Sequence, residues 1–376
     1  MFTEKRDVLV VGAGIVGLAH AYHAVRAGRR VTVLERDARA VGASVRNFGM
    51  IWPIGQPVGE VRETALTSRA HWRTLLREAG IWHRECGALH LAYAEDELEV
   101  MREFVESASD TATLVSPDRA RELSPEIRPE GFRGAMHSTT EMAVDARITV
   151  RELAAHLERA YGVEFRFATP VHRIESGLVT TENGSFEADD IFVCLGPDAY
   201  TLLGRSVEGL RRCRLQMMRL APVHSGTDLG PHLCAGLTLS HYANFAGCPS
   251  LPAVKERFRR DWPEHVERGI HLLVSQQGDG TITVGDSHEY GDAFAPYRDE
   301  RTDDLILSYL DTFLPLPRFR VVERWDGFYN THPTMPWLID HPLPGVTLVN
   351  LFGTGMTLSF GVAERVVAGS APAVAP

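Results

Sequence analysis

One segment near the N-terminus constrains the fold more than any other part of the chain. It runs from residue 7 to residue 35 and reads DVLVVGAGIVGLAHAYHAVRAGRRVTVLE. An apolar run is followed by three glycines, by apolar residues at helical spacing, and by a second apolar run that ends in an acid. Short apolar runs are typical of buried strands, and the helical period is typical of an amphipathic helix. The segment therefore predicts a strand, a tight turn, a helix and a second strand.

The three glycines have the spacing G-x-G-x-x-G. In such a turn the first glycine permits the tight bend, the second lets the backbone approach a diphosphate, and the third allows close packing of helix on strand. The start of the helix adds unpaired N–H groups and a partial positive charge. We therefore predict a dinucleotide site formed by Gly12, Gly14, Ile15, Val16 and Gly17.

Glu35 lies at the end of the second predicted strand, 23 residues after Gly12. A carboxylate at this position can accept hydrogen bonds from a ribose diol, and it disfavours the 2′-phosphate of NADP. Arg36 follows directly and is predicted to lie beside the same nucleotide. The alternative is a glycine-rich turn in some other α/β protein. It is disfavoured because strand, glycines, helix, strand and acid all occur in register.

Composition narrows the range of partners. The chain has 376 residues, 44% of them apolar, and a formal net charge of −10. This length suits two domains better than one, and the composition is that of a soluble globular protein. Because the balance is acidic and no long Lys/Arg run occurs, nucleic acid and acidic membrane surfaces are not expected as partners.

Cysteine spacing and hydropathy add further expectations. The number of cysteines is odd, and no two of them form a C-x-x-C pair, so we expect neither a disulfide framework nor a metal site. The first predicted strand begins within a few residues of Met1 without a cleavable signal, and every apolar run is too short to cross a bilayer. A cytoplasmic protein is therefore expected.

The order of predicted elements indicates two discontinuous domains. An α/β, Rossmann-like nucleotide-binding domain is predicted to comprise residues 1–80, 142–213 and 333–376. An α+β substrate domain, built on a mainly antiparallel sheet, is predicted to comprise residues 81–141 and 214–332.

Local patterns give three narrower expectations. Residues 163–175 alternate in polarity and predict one strand. Residues 225–262 are expected to be mainly loop, and residues 370–376 to be disordered.

Two other segments contain glycines in a distinctive context. The loop after Glu35 contains ASVRNFGM, from Ala43 to Met50, and loops of this length inside a domain are usually functional. Near the C-terminus a predicted strand is followed by GTGMTLSFG, which predicts a second glycine turn that opens a helix. A third turn, at Gly196, follows a predicted buried strand and is expected to lie beside the diphosphate.

Together, GAGIVGLAHA…VLERD, ASVRNFGM and GTGMTLSFG resemble the D-amino-acid-oxidase-like family of FAD-dependent amine oxidases, which includes glycine oxidase and monomeric sarcosine oxidase. The resemblance implies bound FAD, with the start of the second helix pointing at the pyrimidine edge of the flavin, where its dipole stabilises the reduced anion. The cofactor contacts implied outside the N-terminal turn are Ser44, Arg46, Asn47, Phe48, Gly49, Val171, Gly353, Gly355, Met356 and Thr357.

Departures from the family pattern refine this reading. No cysteine stands near Gly327, where the sarcosine-oxidase branch tethers its flavin, so FAD is expected to be non-covalent. Tyr329 stands where glycine and D-amino acid oxidases have the arginine that binds the substrate carboxylate. Thr283 stands where sarcosine-type enzymes have the lysine credited with oxygen activation. These differences disfavour an ordinary α-amino acid, and SVRNFGMIWPIGQP is similar to the branch proposed to act on aminophosphonates.

The implied reaction is hydride transfer from the carbon next to a neutral amine to flavin N5. The imine hydrolyses to a carbonyl compound and an amine, and O2 reoxidises the flavin with release of H2O2. The protein has to orient the C–H bond and keep the amine neutral. A histidine with a pKa near neutral suits that proton transfer. His288 and His332 are the candidates, and Tyr329 is a further candidate at the same site.

Arg46 is the candidate for binding a phosphonate or carboxylate, because a guanidinium gives bidentate contacts; contact with the FAD diphosphate or a salt bridge is the alternative. The residues predicted to line the substrate site are Met50, Trp52, Met218 and Tyr329. Two other functions stay open. One is an oxidase or dehydrogenase of a secondary, N-methyl or D-amino acid. The other is a non-enzymatic role in which bound flavin only supports an interaction surface.

Overall fold

The computed structural model describes residues 3–107 and 111–369, with the backbone alone for residues 3–5. Residues 370–376, expected to be disordered, lie outside this range. The helices are α1 (Ile15–Arg26), α2 (Glu60–Ala79), α3 (Glu95–Ser107), α4 (Pro117–Leu123), α5 (Ala146–Tyr161), α6 (Ala199–Leu202), α7 (Leu251–Asp261), α8 (Pro263–Glu267), α9 (Glu300–Leu310) and α10 (Gly355–Val367). Among the described helices, none is both long and apolar enough to span a membrane.

The strands follow the chain in three sheets. They are β1 (Thr3–Val11), β2 (Val31–Leu34), β3 (Met50–Ile51), β4 (His83–Arg84), β5 (Ala88–Ala92), β6 (Ala112–Val115), β7 (Gly134–Ser138), β8 (Met142–Val144), β9 (Glu164–Arg166), β10 (Val171–Glu175), β11 (Leu178–Thr181), β12 (Gly184–Val193), β13 (Arg211–Pro222), β14 (His232–Cys234), β15 (Leu273–Gln276), β16 (Ile282–Gly285), β17 (Glu289–Gly291), β18 (Phe319–Thr331), β19 (Leu338–Leu343) and β20 (Val346–Asn350).

The first sheet has a parallel centre in the order β9-β2-β1-β12-β20, and β19 pairs antiparallel with β20. Residues 8–11 of β1 pair with β2 on one side and with β12 on the other, and Val8, Leu9 and Val10 are fully buried. A strand covered on both faces requires such an apolar run. The predicted Rossmann-like architecture is thus confirmed.

The second sheet is mainly antiparallel, as predicted, and its centre is β13. This strand pairs along its whole length with β18 on one edge, and with β16 and β17 on the other. The order continues β16-β15-β14-β5-β7-β6, where only the β14–β5 pair is parallel. A small third sheet, β3-β8-β4, includes β4 at residues 83–84. The domain boundaries given above stay a prediction.

One local prediction is wrong, and a second is only partly right. Residues 163–175 form two strands: β9 is parallel to β2, and β10 pairs antiparallel with β11. The chain turns between them at Ala168, which has a φ of +51°, and Pro170 follows. Residues 225–262 contain β14 and α7, and α7 buries Leu251, Val254 and Phe258 at helical spacing. The prolines and glycines around this helix masked its short apolar stripe.

Candidate cofactor and substrate site

The turn between β1 and α1 has no room for side chains at two of its glycines. Gly12 has a φ of +105°, and a Cβ there would lie 2.7 Å from the carbonyl oxygen of Cys194. A Cβ on Gly17 would lie 1.9 Å from the carbonyl oxygen of Gly12. The first and third glycines of the motif are therefore required by close backbone contacts.

The start of α1 is held by the loop that follows β2. Gly14 precedes the helix and provides no side-chain cap, while the N–H of Ile15 donates to Ser44 Oγ at 3.0 Å. A Cβ on Gly14 would lie 3.0 Å from the same Oγ. The first turn of α1, which includes Val16, thus presents backbone N–H groups beside a small hydroxyl, as an anion site needs.

Glu35 lies where the sequence predicts, at the end of β2. The residue is only 8% exposed, and its carboxylate accepts hydrogen bonds from the N–H of Ala13 at 2.9 Å and of Asp37 at 3.1 Å. Each carboxylate oxygen keeps capacity for a further donor. Arg36 instead pairs with Asp198, at 2.7 Å, and with Asp37, so its predicted cofactor contact stays a prediction.

The C-terminal glycine turn meets the N-terminal one in space. Gly353 has a φ of +88°, and α10 begins two residues later. A Cβ on Gly355 would lie 3.4 Å from Ile15 Cγ2 and 3.7 Å from Val16 Cγ2. The two helices therefore start side by side, and their N-terminal partial charges act on one region.

The Gly196 loop and the α10 side chains complete this region. Asn350 bonds the carbonyl oxygen of Gly196 through Nδ2 at 3.1 Å, and its Oδ1 accepts from the N–H of Phe352. Thr357 Oγ1 accepts from the N–H of Trp52 at 3.0 Å, and the carbonyl oxygen of Met356 accepts from the indole of Trp72 at 2.7 Å.

The ASVRNFGM loop is fixed by its own residues. Asn47 donates to the carbonyl oxygens of Ala43 and Ser44 and accepts from the N–H of Gly49 at 2.8 Å. Gly49 has a φ of +70°, and a Cβ there would lie 1.9 Å from the carbonyl oxygen of Val144. Phe48 accepts from Gln277 Nε2 through its carbonyl oxygen. The loop is therefore held between β8 of the small third sheet and the residue that follows β15.

Two separate glycine turns thus converge on one region, as the family resemblance implies for an FAD site. A family model described as FAD dependent oxidoreductase matches residues 7–368. The chain belongs to this family. FAD is therefore its cofactor, and the converging helix starts, the buried Glu35 and the crowded glycines fit that group.

Curated relatives and solved structures agree with the assignment. An opine oxidase subunit of Agrobacterium tumefaciens (strain Ach5) is 26% identical over 393 residues, which cover 96% of this chain and 94% of that protein. Glycine oxidase of Bacillus licheniformis is 27% identical over 206 residues, covering 51% and 54%. The structure of glycine oxidase from Geobacillus kaustophilus has a TM-score of 0.78 at 19% identity, covering 100% of this chain and 97% of that one. This last likeness shows a shared fold.

In this FAD-dependent oxidoreductase one face of β18 packs against the Gly353 turn and against the loop around Arg46. A Cβ on Gly353 would lie 2.7 Å from the ring of Tyr329. Trp325 Nε1 donates to the carbonyl oxygen of Arg46 at 3.1 Å. Cys213 lies opposite Tyr329 in the ladder, and burial raises the pKa of its thiol to about 12. A thiol of this kind stays protonated and is a poor nucleophile toward a flavin.

A cleft of about 280 Å³ lies beside the ASVRNFGM loop. Arg46 and Arg219 both line this cleft. Arg219 is only 5% exposed and forms an ion pair with Glu323 at 3.0 Å. Within the described part of the chain, Arg219 Nε has no hydrogen-bond partner. The remaining lining residues are Val45, Asn47, Asp145, Ala146, Arg147, Gln277, Thr283, Arg324 and Trp325.

Three predicted pocket residues are buried in the structure. Met218 neighbours Arg219 on β13 and so points to the opposite face of the sheet, where it is fully buried; this placement favours a core role. Met50 pairs with Ala143 in the small sheet, and Trp52 is 4% exposed, with its ring 6.3 Å from that of Tyr242. The wall roles of these residues stay predictions.

Four polar side chains gather where β15 begins and β16 ends. The rings of His241 and His271 stack at 3.8 Å, and the ring of His288 lies 4.4 Å from His241 and 5.0 Å from His271. Asp286 Oδ1 lies 3.3 Å from His271 Nε2. The three imidazoles and the carboxylate therefore form one compact polar cluster.

His288 and His332 have different surroundings. Burial lowers the pKa of His288 to about 4, and its Nδ1 bonds the carbonyl oxygen of Gly269 at 2.9 Å. His332 is held in a loop: Nε2 bonds the carbonyl oxygen of Glu208, and Nδ1 accepts from the N–H of Met335. Both nitrogens of His332 are thus engaged in backbone bonds, which favours a structural role, and its catalytic role stays a prediction.

Sequence reasoning missed His241, Tyr242, His271 and Asp286. Asp286 follows an apolar run and precedes His288 by two residues, so a polar pair at a strand end was the available signal. His271 stands alone in an apolar segment, where a buried core histidine is the ordinary interpretation. Val171, the predicted adenine contact, opens β10 opposite Thr181, and its role stays a prediction.

Proposed function

We propose that this protein oxidises an aminophosphonate, or its N-methyl form, at the carbon next to the amine, with O2 as the final electron acceptor and H2O2 as a product. Bound FAD supplies the acceptor for the two electrons of the C–H bond. Water hydrolyses the resulting imine to a carbonyl compound and an amine.

The arginines around the cleft beside Arg46 carry this proposal. Within residues 3–107 and 111–369 no carboxylate pairs with Arg46, whose guanidinium bonds the carbonyl oxygens of Val41 at 2.8 Å and Asp326 at 3.4 Å. Arg147, Arg219 and Arg324 line the same cleft. A dianionic phosphonate accepts several charge-assisted hydrogen bonds, and guanidinium groups match its geometry.

The remaining residues have supporting tasks. Tyr329 replaces the arginine that the family resemblance implies for an α-carboxylate, so the acid group of the substrate is bound elsewhere. Trp52 and Tyr329 supply apolar walls that keep water from the reacting carbon. We also propose that FAD is held without a covalent bond, which the high pKa of Cys213 supports.

A second candidate is an oxidase or dehydrogenase of a secondary, N-methyl or D-amino acid. Similarity over nearly the whole chain to an opine oxidase subunit, and over half of it to a glycine oxidase, favours this alternative.

Anaerobic bleaching of the flavin separates the candidates. The panel is 2-aminoethylphosphonate, its N-methyl form, sarcosine, glycine and D-alanine, with ethylphosphonate as the control that lacks an amine. The proposal predicts that the aminophosphonates reduce the flavin about 100-fold more efficiently than the amino acids, because only they engage the arginine cleft. Peroxide should then appear when air is admitted. Faster bleaching by sarcosine or D-alanine would select the second candidate.

A further inference from the structure

The polar cluster at the end of β16 contains a buried carboxylate oxygen, Oδ1 of Asp286, that accepts no hydrogen bond from the described residues. Asp286 is 4% exposed, and across the described residues no donor is bonded to its Oδ1. His271 Nε2 lies 3.3 Å away and His288 Nδ1 lies 4.0 Å away, but the latter is engaged with Gly269. A buried carboxyl group in this state favours a donor or a cation supplied from outside.

The surroundings of Asp286 contain no strong positive charge. Its ion-pair partners in the described ranges are the two histidines alone. The other titratable groups that face it or its histidine partners are Cys213 on β13, Tyr290 on β17, Tyr329 on β18, and His241 and Tyr242 from the segment before α7.

The cluster is open on one side and adjoins the cofactor turns. His241 is exposed, whereas His271 and His288 are buried. The ring of Tyr329 lies against Gly353. The ring of Tyr242 lies between those of His271 and Trp52, and the backbone N–H of Trp52 donates to Thr357 Oγ1 on α10. A small amine entering from the side of His241 would therefore meet Asp286 close to the flavin-binding turn.

We propose that Asp286 binds the ammonium group of the substrate and accepts its proton, while His271 positions the carboxyl group. This inference rests on the proposed function in that the substrate is an amine. In the step an N–H bond of the ammonium group breaks, its electron pair stays on nitrogen, and an O–H bond forms on Asp286. The amine is then neutral, as oxidation of the neighbouring carbon requires.

Burial supports this direction of proton transfer. It raises the pKa of Asp286 well above its ordinary value, and together with His241 and His288 it lowers the pKa of His271. A carboxylate with a raised pKa is a stronger base, so the proton favours Asp286 over His271.

Binding of an inert amine tests the proposal without turnover. The probe is tert-butylamine, which has no hydrogen on the carbon next to nitrogen, titrated calorimetrically into the holoenzyme. Asp286→Asn should weaken its binding about 10-fold or more, because a buried charge pair is lost. Glu289→Gln is the matched control: this exposed carboxylate pairs with Arg214, and its loss should leave the affinity unchanged. Ethylphosphonate should bind wild type and both variants equally.

The pH profile of flavin reduction provides the second readout. With the best substrate of the panel, Asp286→Asn should reduce the efficiency of reduction about 100-fold near pH 7, and the gap should close toward pH 10, where alkylamines lose their proton in solution. Asp286→Glu should retain most of the activity. His271→Gln leaves the carboxyl group of Asp286 in place. It should shift the pH profile of flavin reduction without abolishing the binding of tert-butylamine.

The outcomes separate this inference from the proposed function. Equal affinity of wild type and Asp286→Asn for tert-butylamine, or a loss of activity that is the same at every pH, would overturn it even if aminophosphonates are substrates. Asp286-dependent binding upholds it even if sarcosine is the better substrate. If Asp286→Asn does not retain FAD, the test is His271→Gln: a pH profile of flavin reduction identical to that of wild type would overturn the proposal.

Discussion

The cofactor side and the substrate side of this molecule are assembled in different ways. On the cofactor side, short continuous segments contain both the turn and the residues that need it, as in Gly12 to Gly17 and Gly353 to Gly355. On the proposed substrate side, residues distant in sequence are brought together by antiparallel pairing: Arg219 lies opposite Thr283, and His271 lies opposite Asp286 just beyond the ends of β15 and β16. A change on the cofactor side should therefore affect folding and FAD together, whereas a change on the substrate side should affect turnover alone.

Gly17→Ala should have the largest effect. Its Cβ would lie 1.9 Å from the carbonyl oxygen of Gly12, so the turn has to open at a cost of about 3 kcal/mol or more. FAD content, measured by absorbance after purification, should fall to a small fraction of the wild-type value. Gly42→Ala is the matched control, because nothing lies within 4 Å of a Cβ there. Full FAD content in Gly17→Ala would contradict the close packing of α1 on β1.

Glu35→Ala should weaken FAD binding about 100-fold, because charge-assisted hydrogen bonds to the ribose are lost and the N–H of Ala13 loses its acceptor. Fluorescence titration of the apoprotein with FAD measures the dissociation constant. Asp37→Asn, which changes a neighbouring acid, should bind FAD as wild type does. An unchanged dissociation constant in Glu35→Ala would remove Glu35 from the ribose site.

Arg46→Ala tests whether Arg46 belongs to the substrate side or to the cofactor side. If Arg46 binds the substrate anion, the KM for the aminophosphonate should rise about 10- to 100-fold while FAD content stays constant. Arg39→Ala, an exposed arginine in the same loop, should leave KM unchanged. Loss of FAD from Arg46→Ala would instead assign this residue to the diphosphate.

His90→Leu should have the smallest effect, confined to acid stability. His90 is 1% exposed, neither ring nitrogen has a partner in the described ranges, and burial lowers its pKa to about 3. Because the unfolded chain gains a proton below about pH 6.5 and the folded chain does not, stability is present above that pH and is lost as the pH falls toward 3.

The free energy of unfolding from urea titrations measures this contribution. His90→Leu should match wild type near pH 7 and exceed it by about 2 kcal/mol near pH 4.5. His224→Leu, at an exposed position, should show no such gain. An equal loss of stability with acid in wild type and His90→Leu would contradict the assignment.

The predictable parts of the molecule are those in which neighbours in sequence are neighbours in space. The glycine spacing and the apolar run of β1 predicted the turn, the parallel sheet and the acid at the end of β2. The convergence of α1 and α10 was implied by family resemblance, since no local pattern links Ile15 to Gly355.

The substrate side was less predictable for a physical reason. Asp286 and His271 meet because they exchange backbone hydrogen bonds just beyond the paired ends of β15 and β16, and strand pairing is set by tertiary packing rather than by local propensity. His332 shows the opposite case, since its position near the cofactor suggested chemistry while its two backbone bonds fix a loop. The pattern of residues 163–175 predicts one strand because alternation does not reveal a turn at Ala168.

Release of the flavin by acid tests the central claim most directly. Protein purified with its colour is precipitated with trichloroacetic acid, and the supernatant is assayed for FAD. If the two glycine turns jointly hold one dissociable FAD, the supernatant should contain about one equivalent per chain and the pellet should be colourless. A yellow pellet, or purified protein that contains no FAD and takes none up, would contradict the account.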